Sequence, residues 1–480
     1  MSRQLKLAVT RPYLPFWVVM LVLTLLVKEH VFFWDTIQLG SKHGHWYYDN
    51  AFAHFLLPPE IDSGHIPAFG MYIALCWSLF GKSLLVSHLA MLPFLFGCFY
   101  YCYRIGQFLV GEKASVFLLF LLLVDPVFAG QAILVSPDIA LLCFFLLALA
   151  GILQDNSPLK WIGLTVLPLV SMRGMMVVFG LFLFEMLRAR PWTKQKGKFT
   201  QLIKLGLQKL PWYLPGGIIA LAFLGYHYAQ TGWIGYHPDS PWAASYARVD
   251  AAGALRNVAI LGWRFLDYGR LFLWAGLGIG GILVFAKKQQ LSAKLLDTAA
   301  LFVILLVVLG IPMVTHKAIM AHRYLLPVFF VLSLLFFQLW YDCLAGYQKW
   351  KSVAFVLTFL GLLTGNLWVY PKKVAQGWDS TLAHWPHYQL RSEMISYIKE
   401  QDIAFDSIGT AFPEIGPFRF KDLSDDNRGF APKNLPEQSY ILYANTMNDF
   451  TDAEIDELET KWKVVHSIDR GGVCFILYSK

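Results

Sequence analysis

The chain has 480 residues, of which 56% are hydrophobic, 16% aromatic and only 15% charged, against about 25% charged in a soluble domain. Together with a mean hydropathy of +0.49, this excludes a soluble globule and indicates an integral, polytopic membrane protein. The net charge of +8 is not a nucleic-acid signal, because the basic residues gather in short loops between apolar runs, where they set orientation.

The first apolar run, 13–33, lacks a small-residue cleavage site and reads as a retained helix rather than a signal peptide. Asp35 follows it directly. A carboxylate this close to hydrocarbon is expensive, so it is a candidate functional group. Further apolar runs lie near 66–80, 84–104, 114–133, 137–153, 159–187, 212–229, 263–286, 297–315, 323–341 and 352–370. A span needs about 20 apolar residues, and several runs are short or broken, so the expectation is about 11–13 transmembrane helices.

Basic loops orient the second half. Arg188, Arg190, Lys194, Lys196, Lys198, Lys204 and Lys209 mark one cytoplasmic loop. Lys287, Lys288 and Lys294 mark the next, and Lys349 and Lys351 the one after. Loops 230–262 and 315–322 and everything after 370 are then outside, while Arg3, Lys6 and Arg11 hold the N-terminus inside. Asp35 is therefore outside. Between 66 and 187 parity allows five crossings, or seven if 114–133 and 159–187 each break in two, at Asp125-Pro126, Pro137-Asp138 or Arg173-Gly174. The two counts place Asp138 on opposite sides.

Composition changes after residue 370. Residues 388–401 read as an amphipathic helix and 403–411 and 439–445 as strands. Thr451-Asp452-Ala453-Glu454 is a capping box opening a helix to about Lys463. A hairpin turns at Gly471-Gly472 into the strand 473–478. The domain reading is a membrane part, 1–370, with a first outer loop, 34–65, and a small extracytoplasmic α/β domain, 371–480. Cys76, Cys98, Cys102, Cys143 and Cys343 lie in apolar runs and read as small hydrophobes, and Cys474 lies in the tail. No metal-ligand spacing or disulfide framework appears.

The chemistry-bearing residues fall in three outer loops or at helix ends. The first loop offers Asp35, His43, His45, Trp46, Tyr47, His54, Asp62 and His65. The second offers Trp233, His237, Asp239, Trp242, Tyr246 and Arg248, and the third His316, Lys317, His322, Arg323 and Tyr324. Aromatics stack on sugar faces, cations hold phosphate, and a carboxylate takes a hydroxyl proton. Each group also has a structural reading. Asp35 fits a helix cap, and Trp46-Tyr47 an interfacial belt. The spacing of His43, His45, His54 and His65 fits no standard zinc pattern. Asp125, Asp138 and Arg173, inside apolar runs, lean functional.

In order along the chain, Asp35, Gly64-His65-Ile66-Pro67, Leu79-Phe80-Gly81-Lys82-Ser83, Ser136-Pro137-Asp138 and Arg323-Tyr324-Leu325-Leu326-Pro327 resemble the family 39-like glycosyltransferases of the GT-C fold. That family includes the protein O-mannosyltransferases and the lipid A aminoarabinose transferase. The tail, with Gly377-Trp378-Asp379-Ser380-Thr381, resembles that of a bacterial subset of the family. The resemblance implies a polyprenyl-phosphate-linked sugar donor and inverting transfer to a glycan, lipid or protein hydroxyl outside a bacterial inner membrane. Asp35 and Asp138 map onto the family's two acidic positions. Arg323, Tyr324, Arg173 and His65 then bind the donor phosphate, and Trp46, Tyr47, Asp62, His237 and Trp242 the sugar or acceptor. Members commonly carry Asp-Glu where this chain has Asp35-Thr36, and Lys-Pro-Pro or His-Pro-Pro where it has His65-Ile66-Pro67. No cofactor is required, and the ligand spacing does not indicate a divalent cation. The rival readings are a lipid-linked sugar flippase or transporter, and a membrane assembly scaffold.

Overall fold

The computed structural model describes residues 11–189, 198–235, 237 and 243–480. Arg3, Lys6, Arg190, Lys194 and Lys196, which contributed to the orientation, lie outside them. The fold is a bundle of apolar helices with a C-terminal α/β unit packed on one end. Among the described residues, three helices are long and apolar enough to cross a membrane: Leu84–Leu109, Ala293–Thr315 and His322–Cys343. A fourth candidate is the pair Glu112–Val124 and Pro126–Ala132, bent by 67°. Five shorter apolar helices, among them Leu14–Leu26 and Pro137–Leu153, complete the set. By length and composition this is fewer than the expected eleven to thirteen, because capping residues and prolines cut the apolar runs short.

The breaks have local causes. Asp125 accepts from Val127 N and Phe128 N at 3.0 and 3.1 Å, and Pro126 supplies no donor of its own. Ser171 accepts from Gly174 N at 3.3 Å and splits the run 159–187 into Ser157–Val170 and Met172–Arg188. Ser136 caps the next helix through Asp138 N at 3.1 Å, with Pro137 in its first turn. Small residues let neighbours approach closely. A Cβ on Gly163 would lie 2.6 Å from Ala148 N on the facing helix.

Contacts separate the two ends of the bundle. At one, the Tyr13 and Tyr103 rings lie 5.6 Å apart, and Lys294 Nζ donates to Phe108 O at 2.9 Å. Arg104 bonds Gln154, Arg188 donates to Ile152 O at 2.7 Å, and Glu185 holds Lys160 and Lys209 at 2.5 and 2.8 Å. This end is basic. At the other, His88 Nε2 donates to His30 O at 2.9 Å and Arg270 pairs with Asp125 at 2.8 Å.

The helix Ala68–Phe80 begins beside His65 and ends beside Ser87, whose Oγ accepts from Trp77 Nε1 at 2.8 Å. Both its ends therefore stay at the second end of the bundle. The run 66–80 does not traverse, and the run 159–187 traverses twice. Five traverses between 84 and 188 thus bring Asp138 to the same end as Asp35.

The C-terminal unit is a six-stranded sheet in the order β2-β3-β1-β4-β6-β5. Its strands are β1 Ile408–Thr410, β2 Gly416–Pro417, β3 Gly429–Pro432, β4 Tyr440–Ala444, β5 Lys463–Arg470 and β6 Val473–Ser479. β1 pairs in parallel with β3 and β4, and β6 runs antiparallel to both β4 and β5. Helices Pro386–Glu400 and Asp452–Lys461 pack on it, burying Leu390, Met394, Ile398, Ile455 and Leu458 against Ile441, Phe475 and Leu477. The capping box at Thr451 forms as expected.

This core continues into the bundle through Phe33, Ile133 and Leu134. Phe32 N donates to Lys421 O at 2.8 Å, the Phe33 and His384 rings stack at 4.9 Å, and Arg419 pairs with Asp49 at 2.7 Å. A buried cluster secures the seam. Burial pushes the Lys421 ammonium down to about 8, and its Nζ donates to the carbonyls of Glu414, Ile415 and Gly416.

Candidate active site

Arg323 is the centre of the site. It lies in the 3-10 turn His322–Leu325 that leads into the helix Leu326–Gln338. Three carboxylates from distant parts of the chain surround its guanidinium. Nη2 pairs with Asp35, Nη1 with Asp379, and Nε with Asp138 at 3.3 Å. Arg173, in the first turn of its helix, pairs with the other oxygen of Asp138. Tyr324 lies against both cations, its ring centroid 4.3 Å from the Arg173 guanidinium and 4.9 Å from that of Arg323. Its hydroxyl accepts from Arg323 Nη2 at 3.2 Å.

Local structure places each group. Trp34 takes a φ of 53°, in the left-handed region, and turns the chain after the first helix. Thr36 Oγ1 pins that turn, accepting from Phe33 N at 3.0 Å and donating to Phe33 O at 2.7 Å. Thr36 is thus buried and structural here. Asp138 sits in the first turn of its helix, where the dipole favours a carboxylate. Exposure is uneven. Asp35 and Arg173 keep 24% and 18% of their side-chain surface, while Arg323, Asp138 and Asp379 keep 5% or less. The site therefore opens on the side of Asp35 and Arg173.

His65 lies beside Arg173. Its Nδ1 accepts from Met172 N at 3.4 Å, and the two side chains line a cavity of about 20 Å³ with His43 and Ser171. That volume suits a single water. Burial, then the Arg173 charge, holds the His65 imidazole at about 3, so it is neutral at pH 7.

Behind the centre runs a second buried network. His322 Nε2 donates to Asp267 at 2.8 Å, and the Tyr370 hydroxyl bonds the same carboxylate. Because His322 precedes Arg323, this bond fixes the turn that carries the guanidinium.

Of the residues singled out in the sequence, Asp35, Asp138, Arg173, Arg323 and Tyr324 converge, and His65 adjoins them. Trp46, Tyr47, Asp62 and His237 are engaged elsewhere. Tyr47 is buried and donates to Phe55 O at 2.6 Å, and Trp46 Nε1 donates to Leu56 O at 3.1 Å, so both fold the first loop on itself. Asp62 accepts from Gly64 N and from His227 Nε2, each at 2.8 Å. His237 Nε2 donates to Pro59 O at 3.1 Å. These bonds tie the first loop to the end of the helix Lys198–Thr231. Asp239 and Trp242 lie outside the described residues. Among the described residues, no group of three His, Cys, Asp or Glu is placed to hold a metal ion.

Asp379 was missed as a site residue. It stands in a polar stretch after the last apolar run, and nothing local links it to an arginine 56 positions earlier. The one sequence signal was Gly377-Trp378-Asp379-Ser380-Thr381, read only as part of the tail. Gly130 makes its approach possible, since a Cβ there would lie 2.6 Å from Thr381 N.

No family model and no curated protein sequence matches the chain. Solved structures do. The crystal structure of ArnT from Cupriavidus metallidurans bound to undecaprenyl phosphate aligns with a TM-score of 0.50 at 12% identity, covering 97% of this chain and 98% of that one. The apo state of the same protein aligns with a TM-score of 0.51 at 11% identity, covering 98% of each chain. The fold is therefore that of ArnT, over nearly the whole length of the chain.

Proposed function

We propose that the protein is an inverting glycosyltransferase that moves a sugar from a polyprenyl-phosphate donor to an acceptor hydroxyl on the extracytoplasmic face of a bacterial inner membrane. The observation that carries this reading is the paired arginines, ringed by carboxylates, at one end of an ArnT-like bundle. ArnT itself has been crystallised with undecaprenyl phosphate. In this reading the helices beginning at residues 14, 84, 112, 137, 157, 172, 198, 270, 293, 322 and 348 each cross once. These eleven crossings hold the basic end in the cytoplasm and the C-terminal unit outside.

The chemistry follows from the charges. The acceptor hydroxyl gives its proton to the Asp35 carboxylate. Its oxygen forms a bond to the anomeric carbon as the bond from that carbon to the phosphate oxygen breaks on the opposite face, and the electron pair leaves with the phosphate. Arg323 and Arg173 hold that phosphate and stabilise the charge it gains. Asp138, bonded to both guanidinium groups, keeps them in register, and neutral His65 offers its Nε2 proton. A phosphate leaves as a stabilised anion, so no general acid is needed. The polyprenyl tail partitions between apolar helices at about 0.8 kcal/mol per buried methylene, which delivers the donor and leaves orientation to the site. The C-terminal unit covers the site and helps choose the acceptor.

The test is incubation of the purified full chain with a panel of undecaprenyl-phosphate sugars and cell-envelope extract. Loss of the sugar from one donor, with release of undecaprenyl phosphate, is the expected result. No loss from any donor by folded protein would favour a transporter or scaffold.

A further inference from the structure

Three carboxylates and two guanidinium groups make up the charged centre, with His65 neutral beside them. With three carboxylates beside two arginines that stay protonated, the formal charges sum to one net negative charge. That is an unexpected sign for a phosphate site, and the three carboxylates are not equivalent. Asp35 faces the opening. Asp138 bonds both arginines. Asp379 is 3% exposed and immobilised: Gln131 Nε2 donates to its backbone carbonyl at 2.7 Å, and Ser380 Oγ donates to its carboxylate at 3.1 Å. It comes from the segment joining the bundle to the C-terminal sheet, and its carboxylate takes up Nη1 of Arg323.

The proposed reaction changes the charge of the phosphate. The donor is a phosphodiester and carries one negative charge. The product is a monoester, whose second ionisation near pH 6 brings it to about −1.5 to −2 at pH 7. Two arginines, one of them buried, without a fixed counter-charge would hold the more charged product tighter than the donor and stall turnover.

Resting on the transferase reading above, we infer that Asp379 is a positioning residue with a second role: it fixes Arg323 and supplies the counter-charge that lets the polyprenyl phosphate product leave. The C-terminal unit then completes the phosphate site rather than merely covering it.

The test titrates undecaprenyl phosphate, and separately a dialkyl phosphate diester, into nanodisc-held full-length wild type, Asp379→Asn and Asp379→Ala at pH 8. Removing the carboxylate is expected to tighten undecaprenyl phosphate binding about tenfold and diester binding distinctly less, as loss of one nearby charge predicts. Under turnover, kcat and KM are expected to fall together. A merely structural role would weaken both ligands and raise KM. Equal or weaker undecaprenyl phosphate binding by either folded variant, with wild type binding normally, overturns the inference alone. Failure of the wild type to bind either probe overturns the transferase reading with it. Alanine serves if the asparagine variant does not fold.

Discussion

Arg323→Ala is expected to abolish transfer and undecaprenyl phosphate binding together, and to destabilise the fold. Removing the guanidinium leaves Asp35, Asp379 and half of Asp138 facing one another without their shared cation. Breaking a buried ion pair by deleting one partner costs about 3–5 kcal/mol. Loss of activity in that variant alone would therefore be ambiguous. Arg323→Lys separates the effects: it keeps the charge but loses the fork that reaches three carboxylates and a phosphate at once. The lysine variant is expected to melt close to the wild type while transfer falls about a hundredfold, in line with the loss of one oriented donor from a transition-state site. Thermal melting and donor consumption, measured on the same preparation, check both. A lysine variant with full activity would remove Arg323 from the phosphate site.

Asp35→Asn is expected to leave the fold in place and undecaprenyl phosphate bound at least as tightly as by wild type, while lowering transfer by about 10²–10⁴, the span of a general base. Asparagine still accepts from Arg323, so the turn held by Trp34 and Thr36 has no reason to change. What it cannot do is take a proton. Donor consumption by wild type and variant, beside undecaprenyl phosphate binding by each, reads the two functions separately. Equal consumption would dismiss Asp35 as the base and move the role to another of the three carboxylates.

The site was legible in the sequence where ionisable groups interrupt or end apolar runs. Asp35, Asp138, Arg173 and Arg323 each stand where hydrocarbon makes a charge costly, and the structure brings all four together. Asp379 was not legible, because a carboxylate in a polar segment costs nothing until the fold buries it. Trp46 and Tyr47 show the opposite case. They look like a sugar platform, yet their polar atoms are committed to loop carbonyls at Leu56 and Phe55.

The fold shows the same division. The run 66–80 is apolar enough to be read as a crossing, but Pro67 and Gly81, with a φ of 90°, bound a helix that stays at one end. The run 159–187 is too long for one pass, and the cap at Ser171 decides where it breaks. In the C-terminal unit, the helix expected at 388–401 is Pro386–Glu400 and the strand expected at 439–445 is β4. The strand expected at 403–411 shrinks to β1, with a 3-10 turn, Phe405–Ser407, before it. Strands β2 and β3, of two and four residues, were too short to leave a pattern.

The most direct measurement of the central claim is a structure of the full chain with undecaprenyl phosphate bound. The expected result is a phosphate within hydrogen-bond distance of Arg323 and Arg173, with Asp35 facing the open space beside it. A phosphate seated elsewhere, such as the basic end beside Lys160 and Lys209, with the Arg323 cluster unchanged, would contradict it.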